Sequence, residues 1–186
     1  EAKSTQSVNT IYLNHNKVTG HNTDIDGFKS AVRDTQYDIN EKKILILGAG
    51  GVVASIIFAL YKLNVSTITV SNRTKKKAEK LKELFGDLEI VDWGEVPEFD
   101  MIINATSLGL SSKDDLNLDF SKIGNNKFFY DIIYNPKQTN FLKKAKMMGH
   151  KIENGRKMFI YQAAAAFNIW HGINPIINDE TVKLLD

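Results

Sequence analysis

A doubly wound α/β fold, a mostly parallel sheet with helices on both faces, is what this sequence predicts. Three features carry that expectation. Apolar runs of strand length alternate with amphipathic stretches of helix length, the arrangement that buries a parallel sheet on both sides. The run Ile44-Leu45-Ile46-Leu47 enters a glycine-rich turn, Gly48-Ala49-Gly50-Gly51, after which Val52 to Leu63 reads as a helix. A second apolar run, Val65-Ser66-Thr67-Ile68-Thr69-Val70, then ends in Ser71-Asn72-Arg73-Thr74 and completes a βαβ unit.

The remaining elements follow in chain order. Residues 8–13 and 17–21 read as short strands around Asn14-His15-Asn16-Lys17. Asp26 to Arg33 reads as a short helix capped by Asp24 or Asp26, and Asp38 to Lys43 as a polar linker into the βαβ unit of residues 43–70. Lys75 to Phe85 is amphipathic, with Ala78, Leu81, Leu84 and Phe85 on one face, and Gly86 stops it. Strands are expected at Leu88–Val91, Met101–Asn104, Lys127–Ile132 and Lys151–Glu153, with a helix from Thr139 to Met148 between the last two. A long helix, Lys157 to His171, carries the alanine run 163–166, and a final helix begins near Asp179. Phe167 and Trp170 read as core residues, His171 as a helix end and His21 as a solvated hairpin residue.

The turn glycines have separate tasks. Gly48 permits the tight strand-to-helix turn, and Gly50 lets the backbone approach a pyrophosphate. The helix starting near Gly51 directs free N–H groups and its positive dipole end toward that anion. Val53 stands where this fingerprint usually takes Gly or Ala, which predicts a helix pushed slightly outward. A lone Gly-x-Gly also occurs in ordinary turns; the flanking strand, helix and second strand are what identify a Rossmann-type dinucleotide site. Its cofactor is read from the end of the second strand. NAD sites place an acid there for the ribose 2′-OH, whereas this chain has Arg73, whose planar guanidinium suits a 2′-phosphate. Thr74 adds a donor and Lys77 lies one helical turn away. Lys75 to Lys77 also oppose the helix dipole, a cost that a bound anion offsets. NADP is therefore expected over NAD.

Composition bounds the rest. The chain has 186 residues, enough for one good core or two small ones, with 42% hydrophobic and 25% charged residues, as in ordinary globular proteins. A net charge of +2 gives no argument for nucleic acid. With no cysteine, disulfides, thiolate metal sites and cysteine nucleophiles are excluded, and the four histidines show no metal-ligand spacing, so no metal is expected. No apolar stretch reaches membrane-spanning length. The polar start Glu1-Ala2-Lys3-Ser4 reads as no signal peptide, and the default expectation is a cytoplasmic protein.

Six motifs in order make the chain resemble shikimate dehydrogenases. Ser7-Val8-Asn9-Thr10 is similar to the family's Ala-Val-Asn-Thr, and Gly20-His21-Asn22-Thr23-Asp24-Ile25-Asp26-Gly27-Phe28 to its Gly-x-Asn-Thr-Asp-Gly-x-Gly-Phe, with Ile25 in place of a glycine. The turn at 48–51 and Asn72-Arg73-Thr74-Lys75-Lys76-Lys77-Ala78 resemble its NADP turn and arginine loop. Asn104-Ala105-Thr106-Ser107-Leu108-Gly109-Leu110 resembles Asn-Ala-Thr-Ser-x-Gly-Met, and Asp131 to Thr139 fits Asp-x-x-Tyr-x-Pro-x-x-Thr. Asn154-Gly155, Met158, Gln162-Ala163, Phe167 and Trp170-His171-Gly172 match the C-terminal signature.

The resemblance implies NADPH-dependent reduction of 3-dehydroshikimate to shikimate. It makes Asp24 the carboxylate of a Lys–Asp catalytic pair and Asn9, Asp24, Tyr134 and Gln162 substrate contacts. Gly48, Ala49, Gly50, Gly51 and Val52 become the pyrophosphate turn, and Asn72, Arg73, Thr74 and Lys77 the 2′-phosphate contacts. Thr106, Ser107, Gly155 and Met158 fall on the nicotinamide side. By the same resemblance, residues 1–24 are the remnant of a substrate domain, 25–40 a connecting helix and linker, 41–155 the NADP-binding domain, and 156–186 C-terminal helices that pack back toward the substrate domain. Relatives carry a Ser-x-Ser motif and the catalytic lysine before the Asn-Thr motif; here six residues precede Ser7, and Lys3 has no matching context. The sequence thus looks like the last two-thirds of such an enzyme, expected to bind NADP(H) with little turnover. An unpaired hairpin at 8–21 is expected to invite self-association. Two alternatives are a quinate/shikimate dehydrogenase using NAD and a non-catalytic NADP-binding module.

Overall fold

A computed structural model describes residues 1–184. The apolar runs form six parallel strands in one sheet. In chain order these are β3 (Lys43–Leu47), β4 (Thr67–Ser71), β5 (Glu89–Val91), β6 (Met101–Asn104), β7 (Phe128–Asp131) and β8 (Lys151–Glu153). They lie in the spatial order β5-β4-β3-β6-β7-β8. The chain therefore leaves β3 toward one side, then returns to its other side to lay down β6. The carboxyl ends of β3 and β6 diverge at that switch point, where doubly wound sheets bind ligands. Before the sheet, β1 (Thr10–Asn14) and β2 (Lys17–His21) form a separate antiparallel hairpin whose register pairs Leu13 with Val18.

Alternation along the strands divides the core into two layers. Ile44 and Ile46 face a layer with Ile103, Phe128 and Tyr130, covered by α2 (Asp24–Asp34), α3 (Val53–Lys62), α4 (Lys75–Phe85) and α6 (Arg156–His171). Leu45 and Leu47 face the opposite layer with Ile102, Phe120, Phe129 and Phe141. There, α5 (Asn140–Met147) is joined by irregular chain carrying Phe99, Leu116 and Phe120. The expected cover of helices on both faces is thus partial on this side. The reason is local: Ser111-Ser112-Lys113-Asp114-Asp115-Leu116-Asn117 has no 3.6-residue apolar period and is rich in residues whose side chains bond their own backbone. Asp114 does so, accepting from the N–H groups of Gly109 and Ser111.

Several expectations need correction. Helix α2 starts at Asp24, with Thr23 at the cap position, so neither Asp24 nor Asp26 caps it. Asn9 explains the shift, because its Oδ1 accepts from both Thr23 N–H and Thr23 Oγ1 and fixes the helix start by a contact distant in sequence. A short helix α1 (Ala2–Thr5) forms in the stretch that reads only as a polar start, and it packs against α3. Phe167 and Trp170 are exposed, Trp170 at 56%; that part of α6 meets the hairpin, where Trp170 Nε1 donates to Ile11 O at 3.0 Å. Leu84 and Phe85 are half-buried rather than core. Ile39, in the expected polar linker, is buried. Val53 is fully buried at the start of α3 and joins the core. Gly86 does end α4, at φ 78°. The last helix, α7, spans Asp179–Lys183.

Helices α2 and α6 cross closely at Gly27. A Cβ there would stand 2.7 Å from Gln162 Cβ and 2.9 Å from the Met158 carbonyl oxygen. Gly27→Ala is therefore expected to destabilise the protein by about 1–3 kcal/mol, as overpacking does. A urea midpoint unchanged from the parent would show that the two helices part without cost.

Candidate functional site: a groove at the glycine turn and a half-buried carboxylate

The glycine turn is pinned from both sides. Gly48 N–H donates to Ser71 O of β4 at 2.8 Å, and Ala105 N–H, just after β6, donates to Leu47 O at 2.8 Å. Gly48 has φ 111°, and a Cβ on it would lie 2.6 Å from the Ala105 carbonyl oxygen. Glycine is required here for both reasons. A Cβ at Gly50 or Gly51 would meet no atom within 4 Å, so the outer face of the turn is open for a ligand to approach the backbone. The turn opens into a groove of about 660 Å³ at the switch point. Gly48, Ala49 and Gly50 form its floor, Asn72, Arg73, Thr74 and Lys77 one end, and Thr106 and Ser107 the other.

The first end is cationic. Thr74 stands at the cap position of α4, and its side chain bonds no helix N–H. The first turn of α4 contains no acid. Lys75 turns away to pair with Asp92 at 2.7 Å, but Arg73 and Lys77 are exposed and make no ion pair among the described residues. Asn72 Nδ2 donates to Thr74 O at 2.8 Å and shapes the loop that presents Arg73. Two unneutralised cations beside free helix N–H groups favour a phosphate.

The other end is a rigid turn after β6. Thr106 N–H and Oγ1 both donate to Asn104 Oδ1, at 3.1 and 2.7 Å. Sequence reasoning misses the remaining groove residues, namely Trp93, Gly94, Ala105, Leu108 and Asp115–Asn117. They come from loops with no periodic signal, and only the sheet order brings them to one place. Other expected contacts lie elsewhere. Gly51 lines an adjoining depression with Thr5–Ser7, and Val52 is the cap residue of α3. Gly155 is pressed against the Ile132 carbonyl, where a Cβ would collide, and Met158 is buried in the core; neither lines the groove.

Asp24 sits in a polar cluster of its own. Asn9 Nδ2 donates to Asp24 Oδ1 at 2.9 Å, and Asn22 Oδ1 accepts from Asp24 N–H at 3.1 Å. Asn9 cannot swing away, because Thr10 Oγ1 and Thr23 hold its Oδ1. Burial raises the Asp24 carboxyl above the ordinary 3.8, and the Asn9 hydrogen bond offsets part of that rise. Gln162 lies against Gly27, one turn of α2 from Asp24, and donates to Phe159 O at 2.9 Å. Tyr134 stacks on the same Phe159, centroids 4.7 Å apart, and is otherwise exposed. The fold also gathers Glu1, His21 and Asp26, a grouping of ligand types that sequence spacing does not reveal; Asp26 is already paired with Lys29 at 3.0 Å. No helix among the described residues is long and apolar enough to cross a membrane.

Sheet order and glycine turn together define a Rossmann-type α/β protein. The chain belongs to the shikimate dehydrogenase family: the family model for shikimate / quinate 5-dehydrogenase matches residues 29–139. It is 56% identical over its whole length to the NADP(+) shikimate dehydrogenase of Pelagibacter ubique, covering 70% of that protein. It is 44% identical over 176 residues to the corresponding Caldicellulosiruptor bescii enzyme, where 90% of this chain matches 61% of the relative. The chain thus spans roughly two-thirds of the length of these relatives. Among solved structures, the shikimate 5-dehydrogenase of Thermus thermophilus in complex with NADP(H) and shikimate is 31% identical with a TM-score of 0.86, over 99% of this chain and 69% of that one.

The Asp24 environment gives a titration test. A carboxyl whose folded value is raised favours the folded state when protonated, so its contribution to stability falls as pH rises from 3.8 through the raised value. Carboxyl ¹³C NMR is expected to place the Asp24 midpoint above 3.8. Asn9→Leu, which keeps bulk but removes the donor, should move the midpoint further up. A native midpoint at or below 3.8, or a downward move in the variant, would contradict this account.

Proposed function

We propose that this chain binds NADP(H) in the groove of the β3 turn and carries the aspartate of an NADP-dependent shikimate dehydrogenase. The observation that carries the reading is the pair of unneutralised cations, Arg73 and Lys77, at one end of a groove floored by Gly48–Gly50. NADPH, when bound, supplies the hydride that reduces 3-dehydroshikimate to shikimate. Hydride addition leaves negative charge on the substrate oxygen, which a positioned acid must quench. Asp24 is suited to orient such an acid: it is half-buried, fixed by Asn9 and Asn22, and keeps Oδ2 free of any hydrogen bond within the described residues. Asn9, Gln162 and Tyr134 would hold the substrate's hydroxyl and carboxyl groups, and Thr106 and Ser107 the nicotinamide side.

Among the described residues no lysine pairs with Asp24. The 186-residue polypeptide by itself is therefore expected to bind NADP(H) and turn over little. Steady-state turnover of shikimate with NADP⁺ close to that of a full-length relative would sink this expectation.

Cofactor choice is tested by calorimetry. Arg73→Ala should weaken NADP⁺ by about tenfold to a hundredfold and leave NAD⁺ within threefold. Equal affinities of the unsubstituted protein for NADP⁺ and NAD⁺ would favour the NAD-using alternative.

We also infer that the isolated polypeptide self-associates through its hairpin. Ile11, Leu13 and Val18 are all exposed, Leu13 at 71%, and the Leu13–Val18 pairing puts them on one face. Sedimentation should show concentration-dependent association that Leu13→Lys with Val18→Lys abolishes; association unchanged in that variant would place the contact elsewhere.

A further inference from the structure

Asp131, the last residue of β7, is fully buried and is not among the residues lining the nucleotide groove. A buried carboxylate is costly unless hydrogen bonds compensate it. Here three donors do. Oδ1 accepts from Asn104 Nδ2 at 3.1 Å and Ile133 N–H at 3.0 Å, and Oδ2 from Thr139 Oγ1 at 2.6 Å. Asn104 is its register partner, the last residue of the adjacent strand β6, and is likewise fully buried. With Nδ2 held by Asp131 and by Leu108 O, the Asn104 amide has one allowed orientation, and its Oδ1 must face Thr106. There it receives both Thr106 N–H and Thr106 Oγ1, while Leu108 N–H donates back to Thr106 Oγ1 at 3.0 Å. An unbroken chain of hydrogen bonds thus runs from the cap of α5, Thr139, through Asp131 and Asn104 to the groove wall.

We propose that Asp131 is a positioning residue for the nicotinamide half of the nucleotide, acting through Asn104 on the Thr106–Leu108 wall. This rests on the nucleotide reading above. The direction of the effect follows from the sheet order. β4 and β6 flank β3 on opposite sides, so a nucleotide lying across the β3 turn places its 2′-phosphate at Arg73 beyond β4 and its other half beyond β6. Loosening the β6 turn should affect one half of the ligand and spare the other. A residue with a merely structural role would affect both or neither.

Calorimetry with two probes separates these outcomes: NADP⁺, and adenosine 2′,5′-bisphosphate, which carries the adenosine 2′-phosphate end without the nicotinamide half. Asp131→Ala is expected to weaken NADP⁺ about tenfold and the bisphosphate by less than twofold. Asp131→Asn keeps an oxygen for Asn104 and Ile133 and should restore NADP⁺ to within about threefold. If Asp131→Ala does not fold, Thr139→Val decides. It keeps the β-branched shape, lies across Asp131 from the groove and removes one donor; it should weaken NADP⁺ a few-fold with the bisphosphate unchanged, and Thr139→Ser should reverse the loss. Equal losses for both probes, or no loss for either, would overturn the relay alone. Failure of the unsubstituted protein to bind either probe would overturn the nucleotide reading, and the relay with it.

Discussion

The close approach of Gly48 to the end of β6 is the constraint on which the rest of the structure depends. The Ala105 carbonyl stands where any side chain at position 48 would have to go. Backbone hydrogen bonds from the turn to β4 and from Ala105 to β3 hold three strand ends in one plane. That plane is the floor of the groove. Were the contact relaxed, α3 would start elsewhere, its free N–H groups would point away from the switch point, and Arg73 and Thr106 would no longer face the same space. The apolar content of β3 drives burial, but burial is indifferent to an ångström; the glycine contact is what sets the position.

Polar groups inside the fold are arranged around this floor in two networks. One joins Asn9, Thr10, Thr23 and Asp24 and extends through Asn22 to Ser55 of α3, at 2.9 Å, so the hairpin and the start of α2 are tied to the helix behind the glycine turn. The other joins Thr139, Asp131, Asn104 and Thr106. Both replace water with fixed dipoles around a carboxylate. The carboxylates differ in consequence. Both oxygens of Asp131 accept hydrogen bonds from the fold, whereas Asp24 keeps one oxygen without a hydrogen bond among the described residues. In each, burial pushes the carboxyl up and hydrogen bonds pull it part of the way back.

Periodicity made the strands, the amphipathic α4 and α5, and the glycine turn legible, because each is decided by residues within a few positions of one another. The start of α2 was not, since Thr23 occupies the cap position through a hydrogen bond to Asn9, fourteen residues earlier in the chain. Trp170 was misread for a related reason. Its apolar ring suits a core, but at the hairpin it ends half out in solvent with its indole N–H on Ile11. The groove loops 93–94 and 115–117 carry no pattern at all, and α1 is too short to show one. Of the candidate site, the turn, the cationic loop, Thr106 and Ser107 meet in one groove, while Gly155 and Met158 are taken up by packing.

The sequence by itself determined the kinds of element and the chemistry available at their ends: a glycine turn where backbone can meet phosphate, cations where an NAD site has an acid, and an aspartate within a polar motif. Those are properties of residue type and short-range spacing. The tertiary structure alone decided which ends share a groove and which groups remain free within it. Strand order brought β3, β4 and β6 together across intervals of tens of residues, and the balance of burial against hydrogen bonding left Arg73, Lys77 and one oxygen of Asp24 unpaired among the described residues. Pairing and burial are sums over neighbours from the whole chain, which no local pattern contains.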